Sequence, residues 1–127
     1  MLKGLLVDYA GVLTDPEAHL LYDYLREARA RGTRTALVSN AAGAGASMKA
    51  ELAGYFDALV FSGEVGVAKP DREIYLIAAE RIGLAAASCV FVDDAARNVR
   101  GAAEAGLVGV HHVTVAATLG ELTALFS

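Results

Sequence analysis

The sequence predicts an α/β fold in which a parallel β-sheet is covered by helices on both faces. Three observations predict it: short apolar runs recur along the 127 residues, segments with helical spacing lie between them, and polar residues follow directly after several runs. Runs that are apolar throughout, rather than at alternate positions, are typical of parallel strands buried on both faces. A repeated alternation of strands and helices favours a doubly wound sheet with right-handed crossovers.

The apolar runs are the predicted strands, since each is short and mostly aliphatic or β-branched. In chain order they are Leu5–Val7, Ala36–Val38, Ala58–Phe61, Val90–Val92 and Val108–Val110. The small-residue stretch Ala41–Ala46 follows the second strand. It is either a flexible loop or a turn whose backbone amides approach an anion.

Segments with apolar residues three or four positions apart are the predicted helices. They span Leu21–Ala28, Ile74–Ile82 and Val99–Ala103. Asp71 before the second segment and Gly83 after it are typical start and stop signals of a helix.

Composition and charge limit the class of protein. Hydrophobic residues form 55% and charged residues 20% of the chain, which favours one folded domain over residues 1–127 rather than a disordered segment. The formal net charge is −4 without a basic cluster, so no nucleic-acid partner is expected, because binding to phosphate backbones needs clustered Lys and Arg. The single cysteine, Cys89, suits a reducing compartment. Neither a membrane-spanning segment nor a signal peptide is expected, and we expect a cytoplasmic protein.

Polar residues follow three of the predicted strands. Asp8 follows the first strand, Ser39 and Asn40 follow the second, and Asp93 and Asp94 follow the fourth. The carboxyl ends of parallel strands form the ligand crevice of an open sheet, so the three carboxylates converge if the first and fourth strands are neighbours. Clustered carboxylates raise one another's pKa unless a cation lies between them. Oxygen ligands without His or Cys suit Mg²⁺.

Together these residues resemble the four ordered motifs of the haloacid dehalogenase (HAD) superfamily. The matching segments are Asp8–Leu13, Ser39-Asn40, Lys69-Pro70 and Val92–Asp94 with Asn98 following. The resemblance extends from Leu5 to about His112. It implies a three-layer α/β/α sandwich, the HAD-like Rossmannoid fold, with a five-stranded parallel sheet of order 5-4-1-2-3.

The resemblance also implies a role for the motif residues in phosphoryl chemistry. Asp8 is implied as the nucleophile that forms an aspartyl phosphate, which replaces one difficult displacement with two easier ones. Ser39 and Asn40 match the phosphate-binding motif. The charge of Lys69 is implied to neutralise both the nucleophile and the phosphoryl group.

A magnesium site is implied by the same motifs. Its ligands would be Asp8, Asp94 and the backbone carbonyl of Ala10, with Asp93 binding the metal directly or through water. A carbonyl ligand does not depend on the side chain, so alanine is compatible with that position.

Several residues near the motifs have plainer interpretations. Asn98 and Arg97 are interpreted as structural or peripheral, and Cys89 as a core residue. His111 and His112 are interpreted as structural or surface residues, because no acidic partner is near them in the sequence.

Ala10 departs from the pattern of the phosphatase branch, which places a second aspartate two residues after the nucleophile. That aspartate protonates the leaving group and later activates water. Loss of a positioned general acid or base typically costs about 10² to 10⁴ in rate. We therefore expect slow turnover, biased toward good leaving groups such as aryl or acyl phosphates. Asp15, Glu17 or His19 is a candidate to replace the missing acid.

No usual cap insertion fits into the chain, because only a helix and a loop separate Leu13 from the second strand. An open crevice favours a large substrate or a second copy of the chain as its lid. The expected partner is a phosphorylated small molecule or a phosphoprotein, and a homo-oligomer that covers the site is a candidate arrangement. The phosphonoacetaldehyde hydrolase branch also carries alanine at the position of Ala10, but its chemistry needs a lysine on a cap domain.

Two classes of function stay open. The leading hypothesis is a magnesium-dependent, HAD-like hydrolase of the phosphatase type. The alternative is a phosphate- or protein-binding module that kept the site and lost the proton chemistry. Halide release from haloacids is disfavoured, since that branch works without metal.

Overall fold

The sheet has the predicted architecture. The structure, a computed structural model, describes residues 1–127. Its strands are β1 (Gly4–Val7), β2 (Arg34–Ser39), β3 (Ala58–Phe61), β4 (Cys89–Asp93) and β5 (Val108–His111). The order across the sheet is β3-β2-β1-β4-β5, which is the predicted order 5-4-1-2-3 read from the opposite edge. Every neighbouring pair is parallel, so the predicted sheet is confirmed.

Six helices connect and cover the strands. They are α1 (Ala18–Ala30), α2 (Ala46–Leu52), α3 (Ser62–Val65), α4 (Arg72–Arg81), α5 (Ala96–Glu104) and α6 (Val115–Leu125). Helices α1, α4 and α5 correspond to the three predicted segments, although α4 ends one residue before Ile82. Helix α6 was not predicted, yet Thr114 marks its start as a typical N-cap, since its hydroxyl accepts the Ala117 N–H at 3.1 Å.

The side chains of each strand alternate between two apolar cores, one on each face of the sheet. Leu5 and Val7 of β1 belong to the core covered by α1, α2 and α6. Leu6, between them, belongs to the core covered by α4 and α5. Cys89 is fully buried in this second core, as predicted, and burial raises the pKa of its thiol to about 11. Removal of a buried leucine from such a core typically costs about 2–5 kcal/mol.

The connections between strands carry no additional domain. Helix α1 lies between β1 and β2, and α2 lies between β2 and β3. The stretch Ala41–Ala46 is a loop whose last residue begins α2. No cap therefore covers the carboxyl ends of the central strands. None of the helices combines the length and the apolar character needed to cross a membrane.

Candidate active site

Three carboxylates meet at the carboxyl ends of the two central strands. Val7 of β1 and Val92 of β4 are register partners, so Asp8 and Asp93, the next residue of each chain segment, lie side by side. Asp94 follows directly. One oxygen from each of these three aspartates lies within 4.8 Å of the others. The predicted convergence of the acidic residues is present in the structure.

Lys69 lies among these carboxylates. Its ammonium donates to Asp8 Oδ1 at 2.6 Å, to Asp93 Oδ2 at 2.9 Å and to the Val38 carbonyl at 3.0 Å. The lysine residue is only 5% exposed. A buried ammonium is costly unless it is paired and hydrogen-bonded, and here all three of its donor hydrogens have acceptors.

Asp8 is a carboxylate with a perturbed acidity. Burial raises its pKa from the ordinary value of 3.8 to about 6, with Lys69 acting in the opposite direction and the nearby charge of Asp93 adding to the increase. Burial thus outweighs the ion pair with Lys69. The site has more negative charge than one lysine offsets.

Asp93 is completely buried and has both carboxylate oxygens occupied. Its Oδ1 accepts the Ala95 N–H at 2.9 Å. Its Oδ2 accepts from Asn98 Nδ2 at 3.1 Å as well as from Lys69. Asn98, interpreted as structural or peripheral, is in turn held by Tyr75, whose hydroxyl donates to the backbone carbonyl of Asn98 at 2.7 Å. Asn98 is therefore a direct hydrogen-bond partner of the acidic cluster.

Asp94 is exposed, and its carboxylate lies against the backbone of Gly11. Gly11 has a φ of +86°, and a Cβ at this position would collide with the Asp94 carboxylate. The positive φ favours glycine there, and a side chain at this position would also displace the Asp94 carboxylate. His111 Nε2 lies 2.9 Å from the backbone carbonyl oxygen of Asp94.

Ser39 is the last residue of β2, and Asn40 follows it directly. Ser39 is buried. The side-chain amide of Asn40 is bound to the backbone of Lys69: Oδ1 accepts the Lys69 N–H at 2.9 Å and Nδ2 donates to the Lys69 carbonyl at 3.0 Å. The structure thus gives the Asn40 side chain a contact different from the predicted one with phosphate.

The candidates for the missing acid are not equivalent. Ala10 is exposed and offers no proton. Asp15 is engaged, since its Oδ1 accepts the Glu17 N–H at 2.9 Å and its Oδ2 lies 3.2 Å from His112 Nε2. The Glu17 N–H, followed by His112, lowers the pKa of the Asp15 carboxyl. A carboxyl with a lowered pKa is ionised at neutral pH and is a poor general acid.

His19 lies apart from these contacts. It lines a surface groove of about 360 Å³ beside Tyr22 and Tyr55, between α1 and α2.

The contact of His112 with an acidic residue was not predicted from the sequence. His112 lies directly after β5 and is buried, and its acidic partner Asp15 is 97 residues away in the chain. The signal that could have found it is the one that identified Asp8: a polar residue directly after a predicted parallel strand lies at the carboxyl end of the sheet.

The chain is similar in sequence to a family of hydrolases and to several phosphatases. The family model for haloacid dehalogenase-like hydrolases matches residues 19–106. The chain is 37% identical over 105 residues to the phosphoserine phosphatase of Thermus thermophilus, an alignment that covers 75% of this chain and 39% of that protein. It is 36% identical over 63 residues to a phosphorylated carbohydrates phosphatase of Thermotoga maritima, covering 50% of this chain and 29% of the relative. The chain spans less than half the length of the curated relatives that it matches.

Solved structures share the whole fold. An uncharacterized protein of Corynebacterium glutamicum superposes with a TM-score of 0.91 at 41% identity, covering 99% of this chain and 96% of that one. A HAD family enzyme of Bacteroides thetaiotaomicron, in complex with magnesium and inorganic phosphate, superposes with a TM-score of 0.70 at 15% identity, covering 91% and 96% of the two chains. This second likeness is one of fold alone.

Proposed function

The chain belongs to the haloacid dehalogenase-like hydrolase family, and we propose that it is a magnesium-dependent hydrolase of phosphorylated compounds with Asp8 as its nucleophile. The observation that carries this proposal is the buried Lys69 ammonium, held between Asp8 and Asp93 at 2.6 and 2.9 Å. The match of relatives that are named phosphatases supports the same class of reaction.

Asp8 and Lys69 divide the chemistry between them. A carboxylate oxygen of Asp8 attacks phosphorus, the bond from phosphorus to the leaving oxygen breaks, and an aspartyl phosphate forms. Water then attacks this phosphorus and releases inorganic phosphate and free Asp8. Lys69 stays beside the Asp8 oxygen through both steps. Its positive charge offsets the negative charge of the phosphoryl group. Ser39, at the end of β2, is proposed to bind the phosphoryl oxygens.

The donor set fits a hard divalent cation. Three carboxylates lie together, and the pKa of Asp8 is raised despite Lys69, so the site has uncompensated negative charge. Asp8, Asp94 and the Ala10 carbonyl would hold Mg²⁺ directly. Asp93 would contact it through water, because both of its oxygens already accept hydrogen bonds. When bound, the ion supplies positive charge for the transferring phosphoryl group.

Ala10 limits the range of substrates. Without a carboxyl group at this position, neither the leaving alcohol nor the attacking water has a proton-transfer partner there. Asp15 does not replace it, since it is engaged by His112 and ionised. The proposed substrates are therefore phosphates with good leaving groups, such as acyl or aryl phosphates, which depart without protonation.

A panel of phosphate esters and acyl phosphates, assayed with and without Mg²⁺, tests this proposal. We expect metal-dependent release of phosphate, faster from acyl and aryl phosphates than from alkyl phosphates, and none from the Asp8→Asn variant. Release at equal rates by Asp8→Asn would contradict the role of Asp8.

The lack of a carboxyl group at Ala10 favours a second candidate, a binding module that retains the site without turnover. Trapping of the phosphoenzyme separates the two functions. Intact-protein mass spectrometry after incubation with an acyl phosphate should show one phosphate adduct in the wild-type protein and none in Asp8→Asn. If no adduct forms and no ester is hydrolysed, the hydrolase proposal is wrong and the binding module becomes the favoured function.

A further inference from the structure

His112 joins three parts of the fold that meet beside the candidate site. Its backbone N–H donates to the Asp93 carbonyl at 2.8 Å. Its ring Nε2 lies 3.2 Å from Asp15 Oδ2, and its ring Nδ1 lies 2.7 Å from the Thr118 hydroxyl. The side chain of His112 is 2% exposed. One residue therefore connects β4, the segment after β1 and helix α6.

Both ring nitrogens of His112 have hydrogen-bond partners. A carboxylate only accepts hydrogen bonds, so Nε2 carries the proton that is shared with Asp15. Nδ1 shares a hydrogen bond with the Thr118 hydroxyl, a group that can donate or accept. Because both nitrogens and the backbone amide are engaged, the ring is held in one orientation.

Asp15 ends the segment that carries the nucleophile, residues Asp8–Asp15, which we call the nucleophile loop. At its start, the Asp8 N–H donates to the Val92 carbonyl at 2.9 Å. Within the loop, the Gly11 N–H donates to the Thr14 hydroxyl at 2.8 Å. The side-chain contact of Asp15 with His112 attaches the far end to β5. The loop is thus anchored at both ends to neighbouring strands.

We propose that the Asp15–His112 pair positions the nucleophile loop for metal binding, and this inference rests on the proposed function. The proposed ligands lie on two separate segments: Asp8 and the Ala10 carbonyl on the nucleophile loop, and Asp94 after β4. The Asp94 carboxylate packs against Gly11 without spare space, so a shift of the loop changes the distance between the ligands. His112 holds the loop while its own backbone is bonded to Asp93, the neighbour of Asp94.

Two substitutions of His112 separate its two ring contacts. The amide of His112→Asn reaches about as far as Nδ1 and keeps a partner for Thr118, but it is too short for Asp15. The longer amide of His112→Gln reaches about as far as Nε2 and retains the contact with Asp15. Mg²⁺ binding to the full chain is measured by calorimetric titration. We expect about tenfold weaker binding in His112→Asn, within the range typical of residues that orient metal ligands, and affinity close to wild type in His112→Gln.

A third variant covers the case in which the buried His112 substitutions do not fold. Asp15→Ser alters a partly exposed residue, and its hydroxyl still accepts the Glu17 N–H but does not reach His112. It should also bind Mg²⁺ about tenfold more weakly. Ile82→Ala is the matched control, because Ile82 is buried beside Gly4 at the opposite end of β1. It should lower the melting temperature and leave the affinity for Mg²⁺ unchanged.

The outcomes distinguish the inference from the proposed function. Weaker binding in His112→Asn and Asp15→Ser, with His112→Gln and Ile82→Ala near wild type, supports the positioning role. If wild-type protein binds Mg²⁺ and Asp15→Ser binds it equally well, the positioning role is wrong while the proposed function stands. If affinity decreases in Ile82→Ala in proportion to the melting temperature, the pair is only structural. If wild-type protein does not bind Mg²⁺, the metal site and the positioning role are both wrong.

Discussion

The side chain of Asn40 binds both polar groups of the Lys69 backbone. Its Oδ1 accepts the Lys69 N–H at 2.9 Å and its Nδ2 donates to the Lys69 carbonyl at 3.0 Å, across 29 residues of sequence. These two hydrogen bonds hold the backbone of Lys69 in place. The side chain that starts there then brings its ammonium to Asp8 and Asp93. Asn40 therefore acts on the site through the position of Lys69.

Asn40→Ala should slow phosphorylation of Asp8 by an acyl phosphate. A displacement of Lys69 by about 1 Å is enough to cost on the order of 10²-fold in rate, and the lost hydrogen bonds should lower the free energy of unfolding by about 1 kcal/mol. Single-turnover mass spectrometry measures the rate, and urea unfolding measures the stability. An unchanged rate would show that the ion pairs alone hold Lys69 in place.

Asp8→Asn should stabilise the metal-free protein at alkaline pH. The pKa of Asp8 rises from 3.8 to about 6 on folding, through burial. Between these values the folded protein binds more protons than the unfolded chain, so the free energy of unfolding falls as the pH rises. We expect Asp8→Asn to be more stable than wild type by about 1–2 kcal/mol at about pH 8, with the difference vanishing toward about pH 4. Urea titrations in the presence of a chelator measure it.

Binding of Mg²⁺ should act against this difference in stability. Saturating Mg²⁺ should stabilise wild type more than Asp8→Asn at about pH 8, because only wild type presents the charged ligand. A wild-type protein that is at least as stable as Asp8→Asn without metal at alkaline pH would show that Lys69 fully compensates the buried carboxylate.

Gly11→Ala should weaken Mg²⁺ binding more than the comparable substitution Gly32→Ala. Gly11 has a φ of +86° and its missing Cβ faces the Asp94 carboxylate, whereas Gly32 has a φ of +95° and open space around it. Both substitutions incur a backbone penalty of about 1–3 kcal/mol, but only Gly11→Ala displaces Asp94. Calorimetric titration should therefore show weaker Mg²⁺ binding in Gly11→Ala and wild-type affinity in Gly32→Ala. Equal affinities in the two variants would place Asp94 outside the metal site.

Ala10→Asp should increase hydrolysis by supplying the absent acid and base. The expected gain lies within about 10² to 10⁴, the range typical of that role, and it should be greatest for alkyl phosphates, whose leaving groups need a proton most. Steady-state rates across a series of leaving groups measure the effect. Equal rates for wild type and variant across the series would mean that another residue already transfers the proton or that position 10 does not face the substrate.

The sequence alone determined the strands and the order of the motif residues along the chain. Continuous apolar runs such as Leu5–Val7 and Val90–Val92 fold as buried parallel strands, since both faces of each strand need cover. These runs end at Asp8 and at Asp93-Asp94. The position of the three aspartates at the carboxyl ends of the strands therefore follows from the local pattern of apolar and polar residues. Lys69 is identified by the ordered motifs that precede and follow it. These features depend on neighbours in sequence or on a resemblance that spans most of the chain.

Only the tertiary structure decided which polar groups meet. The partner of Asn40 is the backbone of Lys69, and the partner of His112 is Asp15, 97 residues away. Such pairs depend on strand order, on the register of β1 against β4, and on the path of the loop after Asp8, none of which leaves a local periodic signal. A buried polar group must find a partner wherever the fold supplies one. The sequence predicts that Asn40 lies at the crevice, whereas the hydrogen bonds of Asn40 and His112 are determined by the packing of segments that are distant along the chain.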